Sequence, residues 1–413
     1  MNTHNRLEPH AMNMTNQHAS HAFRIIGQVS EAYAESDMSD VLLLSCQHLL
    51  APQLAMFSSF FGAGLKPENC LIAGKNYSTN ADVVAELRRA RCVVAPFSDQ
   101  FDPLISFDKW FTPRLAAWVK EILIERNLGL IRRIIVLDDG GHMHEAVNSF
   151  LGHDPRIAGV EQTSSGKARI ERLKIRFNRH MVATSVYKQR DEAYFIGALG
   201  ADRIMSQIAR RGAPSSRILV LGLGTIGRNT ALRLYLNHGM EVRVADPGYR
   251  DPSRKLWTER ANQMFEARGV FLEYGEAMTS LEDYDVIIGA SGSQVLSARQ
   301  VHERLHPRAL LISMSSGDGE FPATEFRKRY HTVHSDCVME HRCLANAGFP
   351  ITFRGAMHEI HPLQIELTMA LLQASVMDLS THEDGRSPGL GYVVSQAHAS
   401  WRRELAEEGF VSV

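Results

Sequence analysis

The sequence predicts an α/β protein of two doubly wound, Rossmann-like units, and three observations carry that prediction. Short apolar runs alternate with helical stretches from Asp40 to about Leu379, the pattern of parallel sheets covered on both faces. A glycine fingerprint, Gly222-Leu-Gly224-Thr-Ile-Gly227, stands between an apolar run and a helical one. At 413 residues the chain is too long for one compact core and suits two domains.

The elements follow in order. Residues 1 to 21 have little periodicity and no apolar signal core, so they read as a flexible lead-in with solvated histidines. Val41 to Ser45 is a buried-strand run, and a helix follows through Phe61. Cys70 to Gly74 and Cys92 to Pro96 repeat the strand theme around a helix from Ala81 to Arg89. A helix is expected over Phe107–Arg126, then a strand over Ile131–Leu137 that ends in Asp138-Asp139-Gly140-Gly141. Asp191 to Arg211 reads as one long helix into the second unit. There, Arg217–Leu221 is a strand, Arg228–His238 a helix and Glu241–Ala245 the next strand. Further strands are expected at Val270–Tyr274, Asp285–Ile288 and Ala309–Ile312, and a helix at His361–Leu379 before a polar C-terminal helix.

The composition narrows the partners. A net charge of −1 gives no overall field to recruit nucleic acid or an anionic membrane. The local excess of Lys167, Arg169, Arg172, Lys174, Arg176 and Arg179 over Glu171 reads as a solvated face. No run approaches the ~18 apolar residues of a membrane span. Five cysteines without paired spacing indicate reduced thiols and a cytoplasmic setting. The expected partner is a small-molecule substrate.

The glycine loop carries the clearest chemistry. Gly222 permits a tight turn, Gly224 lets backbone approach a pyrophosphate, and Gly227 lets helix pack on strand. The helix N-terminus offers free N–H groups to phosphates. Asp246, at the end of the next strand, accepts ribose hydroxyls and repels a 2′-phosphate, which points to NAD as cofactor; nearby Arg250 leaves NADP as a lesser option. In the first unit Asp138-Asp139-Gly-Gly is either a turn or a site, His48 a core histidine or a catalytic one, and Lys188 surface charge or a base. All three fall at strand ends or at the approach to the second unit, where α/β proteins bind ligands. The run His331-x-x-His334-x-x-Cys337-x-x-Glu340-His341-x-Cys343 has zinc-type ligands at no standard spacing, and His142-Met-His144-Glu145 suits turn chemistry better than a metal. No metal site is assigned.

Taken together these segments resemble S-adenosylhomocysteine hydrolase, over roughly Leu42 to Leu379. The similar stretches are Ser45-Cys-Gln-His48, Lys75-Asn-Tyr-Ser-Thr79, Leu137-Asp-Asp-Gly-Gly141, Gly159-Val-Glu-Gln-Thr-Ser-Ser-Gly166, Ser185-Val-Tyr-Lys188, the glycine loop, Gly355-Ala-Met and His361-Pro362. The resemblance implies a substrate domain from residues 1–190 and 353–413, an NAD-binding domain inserted at 191–352, a cleft closed by hinge motion, and a homo-oligomer, dimer or tetramer. It implies a cycle in which NAD oxidises a ribose hydroxyl, a thiolate is eliminated, water adds and the ketone is reduced again. By position it makes Lys188 the base for hydroxyl oxidation, with Glu192 in the same segment. Asp139 and His48 become proton-transfer groups, and His361 belongs to a loop closing over the base. Thr225, Ile226, Ser291, Thr163, Ser164 and Ser165 join the glycines and Asp246 at the cofactor.

The chain departs from the family where substrate is recognised. Gln162, Ala183 and Ala193 replace a glutamate and two asparagines; Leu50 and Pro52 replace polar adenine contacts; Ser316 replaces a histidine; His142 replaces an aspartate. The family's Lys/Tyr tail has no counterpart in Glu404–Val413. The expected enzyme therefore runs this chemistry, or part of it, on a nucleoside- or sugar-like substrate other than adenosylhomocysteine, with His142 a candidate replacement imidazole. The rivals are a plain NAD-dependent dehydrogenase of a small hydroxylated compound and a catalytically silent NAD-binding regulator.

Overall fold

The computed structural model describes residues 23–212, 216–248, 259–381 and 388–410. The N-terminal lead-in and Arg250 lie outside these described residues. The first sheet is wholly parallel: β1 (Val41–Leu49), β2 (Cys70–Thr79), β3 (Val93–Val94), β4 (Arg133–Asp138), β5 (Ile157–Glu161) and β6 (Asn178–Met181), in the order β3-β2-β1-β4-β5-β6. Its helices are α1 (Arg24–Ala32), α2 (Ala51–Gly62), α3 (Ala81–Arg89), α4 (Phe107–Glu125), α5 (His142–Leu151) and α6 (Ser164–Arg172). Along β1 the side chains alternate between two cores. Leu42, Leu44 and Cys46 pack with α4, α5 and α6, while Val41 and Leu43 pack with α1, α2 and α3. That double burial is why the strand reads as an unbroken apolar run.

A π-helical segment at Lys188–Glu192 runs into α7 (Ala193–Arg210) and leads to the second sheet. It contains β7 (Arg217–Leu221), β8 (Glu241–Ala245), β9 (Val286–Gly289), β10 (Leu310–Ser313), β11 (Cys337–Met339) and β12 (Arg342–Leu344), in the order β11-β12-β10-β9-β7-β8. Only the β11–β12 pair is antiparallel. Between the strands lie α8 (Thr225–Leu236), α9 (Glu259–Ala267), α10 (Tyr274–Thr279), α11 (Ala298–Arg304) and α12 (Ala323–Arg327). Each sheet reverses its winding beside its first strand, between β1 and β4 and between β7 and β9. Ligands of such sheets bind beyond the carboxyl ends of those strands.

The chain then returns to the first unit. Helix α13 (Pro362–Ser380) is buried along most of its length, and α14 (Leu390–Glu407) packs beside it. The Glu366 carboxylate on α13 accepts the Ile25 and Ile26 N–H groups at 2.6 and 3.1 Å, capping α1 from the opposite end of the chain. The units also touch directly. The Phe107 N–H donates to both oxygens of Asp318 at 3.0 Å, and the Gly317 N–H donates to the Tyr77 hydroxyl at 3.3 Å.

Three expectations need correction, and two strands are new. The strand expected at Val270–Tyr274 is reduced to one bridge, Val244 with Phe271, and Tyr274 starts α10. The long helix at Asp191–Arg211 begins as a π-turn, so Lys188 belongs to its entrance. Strands β1 and β2 run on to Leu49 and Thr79, so Ser45 to His48 are in the strand and not beyond it. Finally, β5 and β6 were not anticipated; Gly159 sits in β5 because an added Cβ would overlap the His144 ring.

Candidate functional site

At the first switch point three strand ends bring His48, Lys75 and Asp139 together. β1 delivers His48, β2 delivers Lys75, and Asp139 follows β4. The His48 Nε2 lies 3.3 Å from Asp139 Oδ2, and Lys75 Nζ donates to Asp139 Oδ1. The other His48 nitrogen, Nδ1, is bonded to the Ser78 hydroxyl, and the ring packs on Phe353 at 4.9 Å. Lys75 and Asp139 are both buried. Burial opposes the charge on each, but Lys75 and His48 overcome it and hold the Asp139 carboxyl well below the usual carboxylate range. Burial likewise opposes the Lys75 charge, and Asp139 outweighs it, so the ammonium is held above its ordinary range. Asp139 is thus a fixed anion that orients His48.

Lys188 forms a second pair. Its Nζ donates to Glu192 Oε2 at 2.7 Å across the π-turn, and the same carboxylate accepts the Thr368 hydroxyl of α13. π-turns of this kind recur at functional sites because they turn side chains out of helical register. No hydrogen bond among the described residues links this pair to the His48–Asp139–Lys75 group.

The remaining first-unit residues divide. His142 opens α5 with Nδ1 2.9 Å from Thr112 Oγ1, walled by Phe107 and Phe111. Burial, and then Arg169, lowers its pKa well below the ordinary histidine value, so it is a neutral imidazole. His361 is exposed, at the start of α13 against Phe410, and makes no contact with the His48 group among the described residues. Thr163 caps α6 through Gly166 N–H, and Ser164 and Ser165 form the first turn after β5. Beneath them Glu161 accepts the Gly140 and Gly141 N–H groups at 3.1 Å and both donors of Thr163 at 2.7 Å. Asp138, His144 and Glu161 place three ligand-type atoms within 4.8 Å of one another. His144 Nδ1 is 2.9 Å from Asp138 Oδ2, and the group braces the Asp139 turn. The His331–Cys343 run forms no ligand set among the described residues. His334 bonds Asn346 at 3.1 Å, Glu340 pairs with Arg342 at 2.6 Å, and burial pushes the Cys337 and Cys343 thiols up to about 12 and about 11.

At the second switch point the glycine loop has the geometry of a dinucleotide cradle. Gly222 has φ +109°, and an added Cβ would lie 2.5 Å from the Ala290 carbonyl carbon. A Cβ on Gly227 would overlap the Gly222 carbonyl oxygen, whereas one on Gly224 meets nothing within 4 Å. Gly222 and Gly227 are therefore required by the fold, and Gly224 faces open space. Gly224 is also the N-cap of α8 and supplies no side-chain cap, so the N–H groups from Thr225 and Ile226 remain for a phosphate. Asp246 ends β8 with its carboxylate toward this loop, accepting Leu223 N–H at 2.6 Å. Ser291 follows β9; its N–H donates to Glu320 Oε1 at 2.6 Å, which fixes the neighbouring edge of the cradle. These residues fit NAD or NADP.

Sequence reasoning missed Lys75 as a site residue, along with Ser78. The signal for Lys75 was a lysine closing an apolar strand, a place where a charge must find a buried partner.

No family model matches the chain. Two proteins of Mycobacterium tuberculosis, from strains CDC 1551 / Oshkosh and ATCC 25618 / H37Rv and both described as uncharacterized, are 32% identical to it over 351 residues. That alignment covers 83% of this chain, and the chain spans 65% of the length of these relatives. Among solved structures, a dipicolinate synthase of Bacillus subtilis is 12% identical with a TM-score of 0.39, over 84% of this chain and 98% of that one. The dipicolinate synthase of Bacillus halodurans is 13% identical with a TM-score of 0.40, over 83% and 98%. Likenesses this distant speak for neither reaction nor substrate.

Proposed function

We propose that the protein is an NAD-dependent enzyme that oxidises a hydroxyl of a nucleoside- or sugar-like small molecule, in the manner of the adenosylhomocysteinase family. The observation that carries this reading is the glycine loop, with Gly224 facing open space at the uncapped start of α8. Bound NAD would supply the hydride acceptor. Asp246 favours it over NADP, because a carboxylate accepts ribose hydroxyls and repels a 2′-phosphate. Lys188, once it has passed a proton to its partner Glu192, is the group to take the hydroxyl proton. His48 serves a second proton transfer, oriented by an Asp139 that Lys75 keeps ionised.

A second reading, a simple dehydrogenase, draws support from His48 itself, since both ring nitrogens are engaged by Ser78 and Asp139. Absorbance near ~340 nm separates the two: a dehydrogenase accumulates NADH with turnover, whereas a self-recycling enzyme does not. Adenosylhomocysteine is expected to be a poor substrate, because Leu50 and Pro52 at the start of α2 are buried and offer no side-chain hydrogen bond to a base. Free-thiol release at ~1 s⁻¹ or faster would restore the family's ordinary substrate.

A further inference from the structure

Arg228 stands four residues after Gly224 on α8, and its backbone N–H bonds the Gly224 carbonyl at 3.0 Å. Only 7% of the residue is exposed, yet among the described residues no side chain or carbonyl accepts a hydrogen bond from its guanidinium, and Nη1 is buried without a partner. Burial lowers its pKa from the ordinary arginine value. A buried charge without a counter-ion is unfavourable, and a bound anion is the partner that would complete this one. A helical side chain leans over the turn N-terminal to its own Cα. For Arg228 that turn is the one that opens α8, where the N–H groups are also uncapped. Two independent anion-seeking features, free helix N–H groups and an unpaired guanidinium, thus share one helix end.

We infer that Arg228 is a ligand-binding residue that takes a phosphate oxyanion of the dinucleotide, with its guanidinium as the counter-charge the loop amides cannot supply. The inference rests on the reading of the second unit as a dinucleotide site and adds to it the residue that neutralises the phosphate. Because the proposed function gives Asp246, which holds the Leu223 N–H of the loop, to the ribose, the diphosphate is the source of that oxyanion, as opposed to a 2′-phosphate.

The test is calorimetric titration of the full chain and of Arg228→Met and Arg228→Lys with NAD, NADP, ADP-ribose and adenosine, beside thermal melts without ligand. Arg228→Met is expected to bind NAD and ADP-ribose at least about tenfold more weakly than wild type, to bind adenosine equally, and to melt at the same or a higher temperature, since an unpaired buried charge has gone. Arg228→Lys is expected to recover part of the loss. A loss confined to NADP would overturn the assignment to the diphosphate and move the same role to the 2′-phosphate. Unchanged NAD and NADP affinity in Arg228→Met, or a lowered melting temperature with equal loss for adenosine, overturns the inference. Failure of wild type to bind any dinucleotide is a different result, which overturns the cofactor reading itself.

Discussion

Lys75 decides the protonation state of Asp139, and with it what His48 can do. Replacing it by methionine leaves a buried carboxylate beside a histidine with no other cation, so Lys75→Met is expected to cost about 3–5 kcal/mol in urea unfolding. The double variant Lys75→Met/Asp139→Asn should recover most of that, and a purely additive result would show that the pair is not the cause. Lys188→Ala acts differently. It should leave folding and cofactor binding intact and slow the redox step about 10²-fold, measured in single turnover, and an unaltered rate would remove Lys188 from the chemistry. Glu366 gives a pH signature away from the site, because burial pushes its carboxyl up to about 8 despite two backbone donors. The folded state therefore binds a proton that the unfolded state has released. Stability is full below the ordinary glutamate value and falls as pH rises through about 8. Glu366→Gln should flatten that fall, and identical pH profiles in the two proteins would contradict the assignment. At this scale the sequence made His48, Asp139 and Lys188 visible because each stands in a recognisable motif. It hid Lys75 and Arg228 because their meaning depends on which partner they meet, or lack, across the fold.

Among the elements, the loop between β7 and α8 makes the sharpest division between folding and binding. Gly224→Ala meets open space at an ordinary backbone angle, so stability should hold within about 0.5 kcal/mol while dinucleotide affinity drops, as the new methyl stands between backbone and pyrophosphate. Gly227→Ala places its methyl on the Gly222 carbonyl and should destabilise the unit outright. Equal behaviour of the two variants in melts and titrations would contradict the roles given to them. The pattern of the second unit was legible because strands buried on both faces are short apolar runs with clear ends; β7 and β8 match their sequence bounds at both ends. The segment Val270–Tyr274 misled for the same reason. Its apolar residues pack against β8 and α9, but only Phe271 keeps a ladder bridge. The π-turn at Lys188 was illegible because its sequence, Lys-Gln-Arg-Asp-Glu, has ordinary helical character.

Across the whole molecule the two units are joined by an aromatic contact beside their sheets. Tyr77 stacks on Phe349 at 4.8 Å, Phe107 lies against both, and Asp318 ties the Phe107 amide to a buried Arg327 at 2.8 Å. The first unit thereby holds the His48–Asp139–Lys75 group on the same chain framework as the glycine loop, as the proposed oxidation requires. This joining was invisible in the sequence, because Tyr77, Phe107 and Phe349 each read as ordinary core. Everything proposed for the chemistry presupposes that the second unit holds a dinucleotide, and one titration decides it. Calorimetry of the purified chain with NAD and with NADP, with Gly224→Ala as control, is expected to give one NAD bound per chain, weaker binding of NADP, and a clear loss for the variant. No binding heat from either dinucleotide up to millimolar concentration, or equal binding by wild type and Gly224→Ala, would contradict the account.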